Sequence, residues 1–174
     1  MSWVEGTAGL LSSFSYGRGF TERVAGTAPA AGQPFTFAMD GRYNTRPVAV
    51  LAQLVTTAGA ANRWPELRAL DADGTVWNRW GGAPFITASL TVQLVWQLGR
   101  GDDGFTIAGA DATPYYMPLT DVWLEGSDQL RIFVGNMQAG DALTAPRLVL
   151  ERFETGPRGY PEGRVPERVP VAPR

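Results

Sequence analysis

Two aspartates stand ahead of a glycine in Asp71-Ala72-Asp73-Gly74, the spacing with which a calcium loop opens. The later ligands of such a loop, including its closing glutamate, are missing, so the segment reads as a plain hairpin turn. Asp102 and Asp103, held between Gly101 and Gly104, read the same way. Asp40, Glu66, Asp111, Asp121 and Glu125 have the chemistry for the acid pair of a glycosidase. That pair is defined by its separation in space, and nothing in the sequence spacing selects two of them. Ser12, Ser13 and Ser15 lack a base to activate them.

The chain holds no histidine and no cysteine, and all 15 of its Lys+Arg residues are arginine. Without His or Cys there is no imidazole acid or base, no thiolate nucleophile and neither preferred zinc ligand. Without Lys there is no Schiff base and no phosphate-binding lysine of the Walker kind. No catalytic, cofactor-binding or metal-ligating residue is therefore assigned, no cofactor is expected, and a structural or binding role is favoured over an enzyme.

Six Trp and five Tyr remain as the chemically informative side chains. Aromatic faces stack on sugars or fill protein interfaces. Trp64, Tyr115, Tyr116 and Trp123 could line a sugar groove, although core and interface positions explain them more simply. Trp96 reads as core, Trp77 and Trp80 flank a hairpin, and Trp3 lies in a terminal segment. Arg42, Arg46, Arg63 and Arg68 read as surface or interface arginines paired with acids.

The elements that must carry these residues are extended. Leu90, Val92, Leu94, Trp96 and Leu98 alternate with Ser89, Thr91, Gln93, Val95 and Gln97, which predicts a strand over 89–98 with one apolar face. Residues 48–56 are apolar on both faces and read as a central strand. Residues 64–70 and 75–80 form a hairpin about Gly74, with Pro65 placing the first strand at an edge or starting it just afterwards. Shorter pieces at 115–118 and 122–124, a strand over 129–134 with Leu130, Ile132 and Val134 inward, and a last strand over 146–153 complete the series. No long helical periodicity and no internal repeat is present. Short strands between turn signals predict a sandwich or barrel, with a jelly-roll-like antiparallel β-sandwich as the favoured member.

Length and composition predict one domain with extended N- and C-terminal arms. Residues 1–40 form either an arm or an opening pair of edge strands, residues 41–155 the sandwich core, and residues 156–174 a Pro/Arg-rich extended tail that cannot build a core alone. A net charge of −2 with scattered arginines offers no footprint for nucleic acid. No apolar run is long enough to span a bilayer, and residues 1–9 carry Glu5 instead of a basic segment before an apolar one, so neither a membrane partner nor a secretory signal is expected.

A resemblance enters over roughly residues 47–152. Gln53-Leu54-Val55-Thr56 ends one strand, Ala61-Asn62-Arg63 makes a turn, and Asp71-Ala72-Asp73-Gly74 ends the next strand. Tyr116-Met117-Pro118-Leu119, Leu130-Arg131-Ile132-Phe133-Val134, Asn136-Met137-Gln138-Ala139-Gly140-Asp141 and Arg147-Leu148-Val149-Leu150-Glu151 follow. This succession resembles small jelly-roll virion structural proteins of tailed bacteriophages. The resemblance implies a module on the capsid exterior or at the neck, acting as a decoration, cement or fibre subunit, with the major capsid protein or neck proteins as partners. A homo-oligomer, with a trimer favoured, is the expected state. The arms are expected to make the intersubunit contacts through Trp3, Leu10, Leu11, Phe14 and Tyr16 in front and Tyr160, Val165 and Val169 behind. The alternative is a carbohydrate-binding β-sandwich module, for example in a receptor-binding fibre.

Overall fold

The computed structural model describes residues 19–81, 85–99 and 113–154, and the arm residues Trp3, Leu10, Leu11, Phe14, Tyr16, Tyr160, Val165 and Val169 lie outside them. The described residues form strands β1 (Gly19–Ala25), β2 (Phe35–Ala38), β3 (Tyr43–Val55), β4 (Trp64–Leu70), β5 (Val76–Trp80), β6 (Thr91–Leu98), β7 (Thr113–Leu119), β8 (Gln129–Gly135) and β9 (Ala142–Glu154). They build one sheet in the order β1-β9-β3-β6-β7 and a second in the order β2-β8-β4-β5.

The pairing follows from nested hairpins. β4 and β5 close the innermost one, and outward from it β3 pairs β6, β2 pairs β8 and β1 pairs β9, all antiparallel. Successive pairs alternate between the sheets, so the whole is one long hairpin rolled on itself. That is the jelly-roll arrangement, and the fold expectation holds. One correction applies: β7 runs parallel to β6, Val92 facing Thr113 and Leu98 facing Leu119, so the first sheet is mixed. Parallel neighbours need a long crossover, and residues 99–112 supply the length for one.

Inside, Val50, Ala52 and Leu54 of β3, Val92, Leu94 and Trp96 of β6 and Leu148 and Leu150 of β9 meet Leu67, Ala69, Leu130, Ile132 and Val134 of the second sheet. Each large apolar side chain fully buried here stabilises the fold by about 1.5–3 kcal/mol. The prediction of one apolar face for β6 is too simple. Gln93, Val95 and Gln97 on its other face are buried as well, and Val95 packs with Ala49, Leu51 and Val149 on the outside of the first sheet.

Pro65 also sits differently from expectation. β4 is an inner strand, flanked by β8 and β5. Pro65 is tolerated because β5 pairs only from Leu67 onward, whereas β8 already pairs Pro65 through Val134, so one flank asks for no N–H. Of the two readings for residues 1–40, the described part forms edge strands: β1 borders the first sheet and β2 the second. The described part of residues 1–40 thus contributes two strands to the sandwich.

Candidate functional site

The topology gathers the loops at two ends. At one end lie residues 26–34, 56–63, 85–90 and 136–141; at the other lie residues 39–42, 71–75 and 120–128. The first set is cross-linked by backbone hydrogen bonds: Gly32 N–H donates to the Asp141 carbonyl, Ser89 N–H to the Thr57 carbonyl, and Arg63 exchanges two bonds with Ile86.

Arg63 and Asp141 lock this end from within. Both side chains are fully buried, and the guanidinium meets the carboxylate through two bonds, Nε to Oδ2 at 2.8 Å and Nη2 to Oδ1 at 3.0 Å. Arg63 Nη1 donates to the Gly59 and Ala61 carbonyls at 3.0 and 2.7 Å, and Nη2 reaches Thr57 Oγ1 at 3.4 Å. Asp141 Oδ1 accepts from the Thr57 N–H and hydroxyl at 2.7 and 2.8 Å, and Oδ2 accepts from the Gln138 N–H at 2.8 Å. Burial alone would push the Asp141 carboxyl up, but the Arg63 guanidinium and the Thr57 and Gln138 N–H groups outweigh it and hold it well below the usual carboxylate range. A buried pair survives only with such complete hydrogen bonding. The expected surface position of Arg63 is thus corrected, while its pairing with an acid stands.

On this fixed base, the surface is apolar and small. Phe85 is 64% exposed and lies edge-on to Trp64, which is 36% exposed, with ring centroids 6.4 Å apart. The Trp64 indole covers Gly135, occupying the space in which a Cβ would sit. Val55 and Leu90 are exposed at the same end. Ala60, Ala61, Asn62, Thr87 and Ala88 line an open depression of about 350 Å³ between two of the loops.

The opposite end is acidic. It carries Asp40, Asp71, Asp73, Asp121, Glu125 and Asp128, with Arg42 the basic residue of its described loops. Arg42 holds Asp40 down to about 2 through its side chain and its backbone N–H. Arg46 spans Asp121 and Glu151. Asp71 and Asp73 both accept from the Thr75 N–H at 2.8 Å, and Gly74 takes a φ of +89°, so the segment that resembles a calcium-loop opening is built as a hairpin turn. Among the described residues no group of three or more His, Cys, Asp or Glu could hold a metal ion.

The four aromatics of the sugar groove are not brought together. Tyr115 and Tyr116 point to opposite faces of β7, Tyr115 against the core and Tyr116 outward. Trp123 packs edge-on to Phe153 near the acidic end, and Trp64 sits at the other. The carboxylates considered for catalysis are engaged separately, Asp40 with Arg42, Asp121 with Arg46 and Glu66 with Arg68. Arg68 also stacks over the Phe133 ring at 3.5 Å. Asp111 lies outside the described residues. Trp96 is core, as read, and donates to the Trp80 carbonyl. Trp80 is buried too and donates to Thr120 Oγ1. Sequence reasoning did not single out Asp141 or Phe85 as site residues. Asp141 carried no local sign, since its partner stands 78 positions away. Phe85 had one, a large aromatic in a run otherwise free of charge.

No family model and no curated protein matches the chain. Among solved structures it is similar to a chain in the structure of infectious bursal disease virus, Gx strain, at 12% identity and a TM-score of 0.39, over 84% of this chain and 34% of that one. It is similar to a chain in the crystal structure of the T13 particle of the same virus at 13% identity and a TM-score of 0.37, over 84% of this chain and 33% of that one. The protein thus spans about a third of the length of those chains.

Proposed function

We propose that the protein is a non-catalytic structural subunit of a virion, one that decorates or cements the capsid of a tailed bacteriophage or forms a head- or neck-associated subunit. The observation that carries this reading is the end whose described loops, cross-linked by backbone hydrogen bonds, carry exposed aromatics and no charge, which suits contact. The resemblance over residues 47–152 supports it, and jelly rolls recur among viral capsid domains. The subunit works as a homo-oligomer, a trimer, with terminal arms reaching neighbouring subunits and the major capsid protein or neck proteins as partners. Repeated modest contacts then add up to a firm hold.

The test is to mix purified protein with phage capsids lacking it, sediment them and count bound copies. Copy numbers on the order of hundreds mean lattice-wide decoration, and roughly a dozen mean vertices or neck. Absence of the protein from the capsid pellet overturns the proposal.

A second reading is favoured by Trp64 and Phe85 standing near the depression that Asn62 and Thr87 help to line. A flat aromatic beside amide and hydroxyl groups is the chemistry of a carbohydrate-binding module. It predicts saturable quenching of tryptophan fluorescence by a glycan, lost in Trp64→Ala.

A further inference from the structure

Two surface properties divide the molecule along its length. Of the seven large hydrophobic residues exposed among the described residues, four (Val55, Trp64, Phe85 and Leu90) lie at one end. The described loops of that end, residues 26–34, 56–62, 85–90 and 136–140, contain no charged residue. The charges bordering them, Arg63 and Asp141, are buried and neutralise each other. Charge depletion with exposed aromatics is the composition of the core of a protein interface. Among the described residues, the acids of the opposite end outnumber the bases beside them, Arg42, Arg46 and Arg152.

We infer that this end, whose described loops carry no charge, is where copies of this chain meet, same end to same end, about a common rotation axis. Residues nearest a rotation axis meet their own copies, so there like lies beside like. At the acidic end that geometry brings a net excess of carboxylates together, which costs association free energy, whereas the described loops of the other end set no charge against charge and apolar surface leaves water. Buried Arg63 and Asp141 favour the contact further, because loops already held in place lose little freedom when they dock. Small residues such as Ala60 and Thr87 let two backbones approach closely around the projecting Phe85 ring. The inference gives the oligomer of the proposed function its contact surface and rests on that reading for the oligomer alone. Capsid binding plays no part in it.

The experiment is sedimentation equilibrium of the free full-length protein, without capsids, alongside the exposed-site variants Ala60→Arg, Ala60→Glu, Phe85→Arg and, at the acidic end, Asp73→Arg. Thermal melts by circular dichroism verify that each is folded. Wild type should associate with rising concentration, and Ala60→Arg and Phe85→Arg should each weaken association by roughly tenfold or more. Asp73→Arg should leave it unchanged. An equimolar mixture of Ala60→Arg and Ala60→Glu should associate more tightly than either alone, because opposite charges then meet around the axis. Wild type that stays monomeric overturns the inference, as does association indifferent to both neutral-end arginines. Loss of association in Asp73→Arg, or a mixture that associates no more tightly than either variant alone, rules out the same-end contact. Failure to pellet with capsids bears on the proposed function and leaves this result standing.

Discussion

At the residue scale, the decisive feature is a fully buried ion pair. Arg63 and Asp141 are worth keeping only as a pair, since removing one leaves the other charged and unsatisfied in the interior. Arg63→Leu or Asp141→Asn should lower stability at neutral pH by about 3–5 kcal/mol in urea unfolding. The pH response follows from the direction of the Asp141 shift. Its folded carboxyl titrates below the unfolded one, near pH ~3.9, so its contribution is fully present above that value and fades as the pH falls through the folded value. Urea midpoints of wild type should therefore fall steeply below pH ~4, and those of Asp141→Asn should fall less over the same range.

At the element scale, strands follow local pattern, and their irregularities follow their neighbours. Along β9, Thr144 faces Gln53 and Arg147 faces Leu51, which leaves an extra residue in a bulge and puts exposed Ala145 at a φ of +47°. A left-handed backbone disfavours any Cβ. Ala145→Gly should raise the melting temperature, with a gain below ~1 kcal/mol because glycine also loosens the unfolded chain. Gly135→Ala should act oppositely: its Cβ would enter the space of the Trp64 indole. Displacing that ring should cost about 1–3 kcal/mol and raise tryptophan solvent exposure, read as a red shift in emission.

At the scale of the whole molecule, the separation of a neutral end from an acidic one governs how copies approach. Association through the neutral end should change by less than ~threefold between ~50 and ~500 mM salt in sedimentation equilibrium, because no exposed charge of the described loops there is screened. The tail belongs to this scale as well. Deleting residues 156–174 should leave the thermal melt of the sandwich nearly intact while weakening assembly on the capsid. A deletion that unfolds the sandwich and spares assembly defeats the role proposed for the arms.

Much of the sandwich was legible in the sequence because alternation, turn residues and glycines act between near neighbours. The period of two placed β6, the doubly apolar run placed β3 at the centre, and Asp71 to Gly74 marked the β4–β5 turn. The absence of His, Cys and Lys was equally plain. Only the tertiary structure decided the rest. It set β7 parallel beside β6, made β4 an inner strand despite Pro65, and buried Arg63 against Asp141. It also dispersed the aromatics of the imagined sugar groove and gathered the charge-free loops at one end. The physical reason is distance along the chain: these outcomes depend on partners dozens of residues apart, and no local pattern carries the identity of a partner that only the rolled hairpin brings near.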